Sequence, residues 1–314
     1  MKIVHEPSQI RLAPSAVTIG VFDGVHRGHQ TVLTQLARLA QPLDLKTVVV
    51  TFDHHPAQIL RPAQAPALLC DLQQRLERLE ECGVDTTWVV RFDQTRSEES
   101  AEAFIQDTLI DRIHTKLVVV GEDFHFGRRR QGSVGMLIDR GAHYGFEVRG
   151  LELVGAAGAP ERPEAQVSST AIRRALFEGR LSDANIMLGR PHELRGPVVH
   201  GDQRGRTLGF PTANVAISPV MCLPAHGVFA GHLVRPNGER LDAAIYVGSR
   251  PTFYDGDAKV VVEAHCLGFS GDLYGELVGV QFTHRIRGEQ TFNGPNEIAA
   301  QLRVDSQEAM CLLS

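Results

Sequence analysis

The sequence predicts an α/β doubly wound parallel sheet followed by a small antiparallel β-barrel with a C-terminal helix. Three observations carry this. In the first half, short β-branched runs alternate with amphipathic runs of helical period, as in βαβ units. From about Arg190, strand-like runs follow one another with turn signals between them, as in an antiparallel sheet or barrel. The chain then closes on a run from Pro295 to Leu313 with Ile298, Leu302 and Ala309 at helical spacing. A length of 314 residues suits two domains, and the change of texture divides them as 1–186 and 187–314.

The elements follow in order. Ala16–Gly20 is an apolar run read as a buried strand, and Gln30–Ala40 an amphipathic helix. Thr47–Phe52 is β-branched and short, hence a strand. Leu72–Cys82 repeats Leu72, Leu76 and Leu79 and ends at Gly83, a helix with its stop signal. Thr86–Val90 is a strand, Ala101–Ile113 a helix with Phe104, Ile105, Leu109 and Ile113 on one stripe, and Lys116–Gly121 a strand. Val134–His143 and Phe146–Leu153 read as helix and strand. Gly155–Glu164, rich in Gly, Ala and Pro, reads as a mobile loop. Helices follow to Gly179 and over Ser182–Leu188. Beyond them come strands at Gly227–Val234, Ala243–Gly248, Val260–Leu267 and Val278–Arg285. Asn237-Gly238 is a hairpin signal, and Gly256-Asp257 and Gly271-Asp272 mark turns.

Composition narrows the function. A hydrophobic share of 43% and a charged share of 22% belong to a soluble globular protein. The net charge of −5 argues against a general nucleic-acid binder. Cys70, Cys82, Cys222, Cys266 and Cys311 are scattered with no C-x-x-C, so neither a disulfide framework nor a zinc knuckle is expected. Met1–Pro14 lacks the apolar core of a signal peptide, and no apolar run is long enough to span a membrane. A reducing cytoplasm is the expected compartment; no nucleic acid or membrane is an expected partner, and a homo-oligomer is compatible with the sequence.

Chemistry concentrates where strands end, the place where such sheets bind ligands. Gly20-Val21-Phe22-Asp23-Gly24-Val25-His26-Arg27-Gly28-His29 lies between the first strand and the first helix. Helix N-termini favour anions, and glycine allows close backbone approach. The stretch lacks the Gly-Lys-Ser/Thr ending of a Walker loop and the dinucleotide-binding glycine spacing. It offers imidazole instead: His26 and His29 can donate to phosphoryl oxygens and stabilise charge there. Helix capping and half of a metal site are the simpler readings, and no Cys or His cluster supplies the rest of a metal site.

Two further strand exits carry Thr51-Phe52-Asp53-His54-His55-Pro56 and Gly121-Glu122-Asp123-Phe124-His125-Phe126-Gly127. Phe124 and Phe126 fit ordinary core and the wall of a flat ring equally well. Arg128, Arg129 and Arg130 read as a solvated loop. Ser168-Ser169-Thr170 before Ala171-Ile172-Arg173-Arg174 is a helix start, and its hydroxyls with Arg173 form a second anion site.

In the second half, Gly201, Gly205 and Gly209 recur with basic residues between them, and Pro211-Thr212-Ala213-Asn214 follows. Backbone N–H groups of such a loop can wrap phosphates. Thr212 and Asn214, two apart on an extended segment, share a face and present hard oxygens suited to Mg²⁺, the remaining ligands being nucleotide phosphates and water.

The first constellation resembles the HxGH nucleotidyltransferases. With its Phe-Asp-Gly it resembles, more narrowly, the adenylyltransferase half of the bacterial bifunctional riboflavin kinase/FAD synthetase family. Pro-Thr-Ala-Asn resembles the riboflavin kinase motif, as do Val262-Glu263-Ala264-His265, Leu273-Tyr274-Gly275 and Arg287-Gly288-Glu289-Gln290-Thr291-Phe292. The resemblance runs from Val17 to about Ala309. It departs at Val21 and at Tyr246, where the family often has Asn. It implies that residues 187–314 use ATP and Mg²⁺ to phosphorylate riboflavin to FMN, and that residues 1–186 transfer AMP from ATP to FMN, giving FAD and pyrophosphate. By the same resemblance Glu263 is the general base for the ribityl hydroxyl, and His26 and His29 are catalytic. Nucleotide contacts are expected at Gly20, Phe22, Asp23, Gly24, Gly28, Ser169, Thr170, Arg173, Gly201, Gly205, Gly209 and Pro211. Flavin contacts are expected at Phe52, His55, Asp123, Phe124 and Arg287, and the metal at Thr212 and Asn214.

Overall fold

The computed structural model describes residues 1–5, 11–151, 167–201, 205, 208–250 and 259–314. It contains two compact units, Met1–Pro66 with Asp71–Ser169, and Ala67–Cys70 with Thr170–Ser314. The Gly155–Glu164 loop, the Gly256-Asp257 turn, and Arg204 and Arg206 lie outside the described residues.

The first unit holds a six-stranded, all-parallel sheet. Its strands are β1 (Lys2–His5), β2 (Ser15–Ile19), β3 (Lys46–Phe52), β4 (Thr86–Val90), β5 (Thr115–Gly121) and β8 (Glu147–Leu151), in the order β1-β4-β3-β2-β5-β8. The chain runs outward from β2 through β3 to β4, then returns to the other side of β2 as β5. This reversal is a topological switch point, where the carboxyl ends of neighbouring strands leave a crevice. The Gly20–His29 stretch leaves β2 there, and Asp123 and Phe124 follow β5 at the same end.

Val17, Val50, Trp88 and Val118 are fully buried on one face of the sheet, against Ile105, Leu109 and Leu137. Val49 packs with Leu33 and Leu79 on the other, and Ala16 and Val119 with Leu36. Strands buried on both faces read as unbroken apolar runs, which is why β2 to β5 were legible. The helices are α1 (Arg27–Ala40), α2 (Pro56–Leu60), α3 (Leu72–Glu81), α4 (Gln94–Ser97), α5 (Ala101–Phe104) and α6 (Val134–Tyr144). The helix expected over Ala101–Ile113 is α-helical only in its first turn and widens to a π-helix over Ile105–Arg112. A two-stranded ribbon of β6 (His125–Phe126) and β7 (Gly132–Ser133) precedes α6.

The second unit includes α7 (Ser169–Phe177) from Thr170 onward and α8 (Leu181–Leu188). Its strands are β9 (His192–Val199), β10 (Ala213–Val215), β11 (Gly227–Val234), β12 (Arg240–Arg250), β13 (Lys259–Cys266) and β14 (Leu277–Arg287). They close into a barrel in the order β10-β13-β12-β11-β14-β9, so no strand edge is left open. The β11–β12 hairpin turns at Asn237-Gly238, with Gly238 left-handed at φ 85° and Glu239 N–H donating to Asn237 Oδ1 at 2.9 Å.

The barrel interior is filled by Phe229, Ile245, Val247, Ala264, Val280 and Phe282, none with accessible surface. Ile172, Ala175, Leu176, Leu181, Ala184 and Leu188 from α7 and α8 join the same core. The compact units therefore part at Ser169/Thr170, whereas the texture of the sequence changes near 187. The last helix, α9 (Pro295–Leu313), buries Ala309 with Asp305 and Ser306. No helix among the described residues is long and apolar enough to cross a membrane.

Candidate active sites

In the first unit, the turn between β2 and α1 is left-handed at three of four residues from Phe22 to Val25: Phe22 at φ 53°, Gly24 at 80° and Val25 at 38°. For a phenylalanine and a β-branched valine this conformation is costly, about 1–3 kcal/mol each, and survives only where surrounding contacts dictate it. Those contacts are hydrogen bonds to the turn's carbonyls. Val21 O accepts from Thr51 Oγ1 at 3.1 Å, and Phe22 O from Val25 N–H at 3.1 Å. Asp23 O accepts from Ser169 Oγ at 3.0 Å, and Val25 O from Gln30 Nε2 at 2.9 Å. With four of its carbonyls, those of Val21, Phe22, Asp23 and Val25, occupied by the protein, the turn is suited to face an anion through its N–H side.

His26 is the N-cap of α1, its Nδ1 accepting from His29 N–H at 3.4 Å. That bond uses the Nδ1 lone pair, so Nε2 carries the proton and is a donor. The rings of His26 and His29 stack 3.7 Å apart at 17°, with Phe22 tilted against His29 at 4.9 Å. Capping thus occupies one nitrogen of the imidazole and leaves the other as a hydrogen-bond donor. No acidic side chain lies in the first turn of α1 to offset its positive dipole end. Glycine at positions 20 and 28 is a packing requirement. A Cβ at Gly20 would come 3.1 Å from the Phe22 ring, and one at Gly28 would come 3.2 Å from His26 Nδ1. Asp23 and His26 are both buried.

The other expected residues of this unit sort by what holds them. Phe52 packs edge-on against Phe92 at 5.4 Å. His55 caps α2, Nδ1 accepting from Ala57 N–H at 3.1 Å in a capping box with Gln58. Asp53 Oδ1 accepts from the N–H groups of Phe92 and His54, both at 2.8 Å. Partial burial pushes its carboxyl up, and these bonds outweigh that and hold it below the usual range. Phe126 is core, 5.6 Å from Phe104, and half-buried Phe124 stacks on it at 5.5 Å. Asp123 is exposed beside them. Ser169 belongs to this unit. Thr170 and Arg173 belong to the second, where Arg173 Nε donates to Ala67 O at 2.6 Å. Thr51 was missed in the sequence. Its only signal is a hydroxyl in a valine strand, one residue before the strand ends.

In the second unit, register defines the site. Asn214 on β10 lies opposite Glu263 on β13, and Glu263 lies opposite Tyr246 on β12. Their strand neighbours Val215, Val262, Ala264, Ile245 and Val247 are buried inside the barrel. By alternation Asn214, Glu263 and Tyr246 form a row on its outer face. A cavity of about 480 Å³ is lined in part by Gly201, Pro211, Thr212, Asn214, Phe269 and Tyr274. A Cβ on Gly201 would run into the Asn214 amide, and one on Gly205 into Phe210 O. Gly209 is left-handed at φ 85°.

His265, on the same face as Glu263, is committed to Pro211 O at 2.8 Å, which gives it the Nδ1–H tautomer. Tyr246 lies along β12 over Gly248, its hydroxyl donating to Glu289 Oε1 at 2.7 Å. This bond, helped by His226 at 3.4 Å, holds the Glu289 carboxyl below the usual range. Arg287 makes a two-pronged pair with buried Asp305, Nε–Oδ1 at 2.9 Å and Nη2–Oδ2 at 2.7 Å. Its guanidinium also lies 5.8 Å from the Phe292 ring centroid. The expected flavin contact is thus first of all the anchor of α9. Among the described residues no group of three or more His, Cys, Asp or Glu side chains could hold a metal ion.

Comparison with known proteins matches the two halves of the chain to two enzyme families. Residues 8–171 match the FAD synthetase family and residues 188–313 the riboflavin kinase family. Two bacterial relatives, each a bifunctional riboflavin kinase/FMN adenylyltransferase, align over 306 residues. That of Haemophilus influenzae is 37% identical, covering 98% of this chain and 96% of its own. That of Escherichia coli K12 is 36% identical, covering 98% and 95%. A solved Streptococcus pneumoniae structure, described as a macrolide-efflux protein, superposes with a TM-score of 0.85 at 28% identity over 99% of each chain. With both domains present and the full length aligned, the chain belongs to the bifunctional riboflavin kinase/FMN adenylyltransferase family, which makes FMN from riboflavin and FAD from FMN.

Proposed function

We propose that the barrel's outer row carries the riboflavin kinase reaction and the β2–α1 turn the FMN adenylyltransferase reaction, each with ATP as co-substrate. The observation that supports this best is the register that sets Glu263 beside Asn214, away from the core. A carboxylate there can take the proton of the ribityl 5′-hydroxyl as that oxygen attacks the γ-phosphorus of ATP.

Thr212 and Asn214 would hold Mg²⁺. Their oxygens are hard and uncharged, which suits a cation that takes its remaining ligands from nucleotide phosphates and water. Gly201 packs so close to the Asn214 amide that any side chain there would displace it. When bound, the ion offsets phosphate charge. Glu263 supplies the proton acceptor, the glycines at 201, 205 and 209 let the chain approach the phosphates, and Pro211 O orients His265.

At the other site no general base is needed, because the FMN phosphate is already an anionic nucleophile. His26 Nε2–H, His29 and the α1 N-terminus stabilise charge on the α-phosphate as pyrophosphate leaves. Phe52, His55, Asp123 and Phe124, at the carboxyl ends of β3 and β5, are the proposed flavin side. Ser169, through Asp23 O, holds the turn. Thr170, Arg173 and Arg287 are retained as ligand contacts on resemblance alone.

Glu263→Gln tests the central assignment. It keeps shape and hydrogen bonding but accepts no proton, so FMN formation should fall by about 10²–10⁴, while the same protein fed FMN and ATP makes FAD at the parent rate. Undiminished FMN formation, read by chromatography, would assign Glu263 to the solvated face of the strand.

A further inference from the structure

Arg75, on α3, is 1% exposed, and its guanidinium has no carboxylate partner among the described residues. Its Nη1 donates to Phe52 O at 2.6 Å and to Thr51 Oγ1 at 3.2 Å, and its Nε has no hydrogen-bond partner. A buried cation is costly, and natural structures seldom keep one unpaired without a use. Its position suggests the use: it lies at the carboxyl end of β3, beside the switch point.

Arginine only donates. Thr51 Oγ1 must therefore accept from Arg75, and its own proton is left for Val21 O, 3.1 Å away. The direction of that proton is fixed by Arg75, and Val21 O is the first anchored carbonyl of the left-handed turn. We propose that Arg75 is a positioning residue for adenylyl transfer. Through Thr51 it holds the turn in its phosphate-facing conformation, and its charge, paired with no carboxylate, favours an anionic ligand at that end of the sheet. This rests on the adenylyltransferase reading of the β2–α1 turn.

Thr51→Val keeps the branched shape of a residue with no accessible surface, removes the relay, and should leave the strand folded. FAD formation from FMN should fall about 10-fold or more in kcat, since small misplacements of a reacting group cost up to about 10²-fold. Thr51→Ser restores the hydroxyl and should recover the rate. Arg75→Met should show the same defect, and the double variant should be no slower than the slower single one, the non-additivity expected of one relay. FMN formation by the same molecules is the internal control. Parent FAD kinetics in Thr51→Val, no recovery in Thr51→Ser, or strictly additive losses would each overturn the proposal. His29→Ala run in parallel separates the two levels. If it keeps full FAD formation, the adenylyltransferase reading itself has failed; if it loses activity while Thr51→Val does not, only the relay has failed.

Discussion

Gly28→Ala sets stability against activity. Gly28 is the second residue of α1, and its φ lies outside the left-handed region. On helix propensity alone, alanine there gains up to about 1 kcal/mol. The new methyl, however, would stand 3.2 Å from both Cε1 and Nδ1 of His26 and 3.3 Å from Val167 O. The imidazole must give by a few tenths of an ångström, yet it is 5% exposed and stacked 3.7 Å from His29. Movement also strains the 3.4 Å cap bond, and losing a cap costs about 0.5–2 kcal/mol. The two contributions to stability nearly cancel, so the unfolding midpoint of the first unit should shift by less than about 4 °C. The catalytic cost does not cancel, because a displaced donor stabilises the transition state less, by up to about 10²-fold. The expected result is FAD formation lowered about 10- to 100-fold, with FMN formation and melting almost unchanged. A parent FAD rate with a raised midpoint would refute the view that His26 must sit where it is.

Three further outcomes are expected. Thr212→Ala with Asn214→Ala should abolish FMN formation from riboflavin while circular dichroism and FAD formation from FMN stay at parent levels. His29→Ala should lower FAD formation by about 10²–10³ and spare FMN formation, as loss of one charge-stabilising donor does. At the opposite end of the sheet from the turn, burial pushes the Asp85 carboxyl up, but Thr47 N–H and Oγ1, both at 2.9 Å, and Lys46 outweigh this and hold it low. Its stabilising contribution is therefore full above the ordinary value of about 4 and lost as pH falls through the lower folded value. Asp85→Asn should flatten the acid limb of the stability curve without altering either activity near neutral pH.

What the sequence made legible follows from how strongly each residue's surroundings constrain it. Apolar strands buried on both faces, the glycines beside His26 and Phe22, and the alternation around Glu263 leave patterns that few other arrangements produce. Strand β1 is four residues with Lys2 and His5 among them, too short and polar for any period. Strand β9 contains Glu193, Gly196 and Pro197. Glu193 is buried, and besides Arg195 on its own strand at 2.7 Å it accepts from Gln281 at 2.6 Å, a partner 88 positions away that only the pairing of β9 with β14 provides. Asp305 reads as a solvent residue of an amphipathic helix and becomes a core residue because Arg287, 18 positions earlier, reaches it. Arg75 sits within the stripe of Leu72, Leu76 and Leu79, where an arginine is the odd letter. Its meaning depends on Thr51, 24 positions away. Such pairings over long sequence separations carry no local signature.

The alternation along β13 has a consequence for how this kinase half can change over time. Val262, Ala264 and Cys266 face the core while Glu263 and His265 face outward, so one short segment encodes packing in one parity of positions and chemistry in the other. Substitutions can tune either set separately. A single-residue deletion within the strand cannot, because it exchanges the two sets, driving a carboxylate into the interior and a valine onto the outer face. Length variation among such barrels should therefore collect in the turns, and the strand that carries Glu263 should tolerate changed letters far better than a changed count.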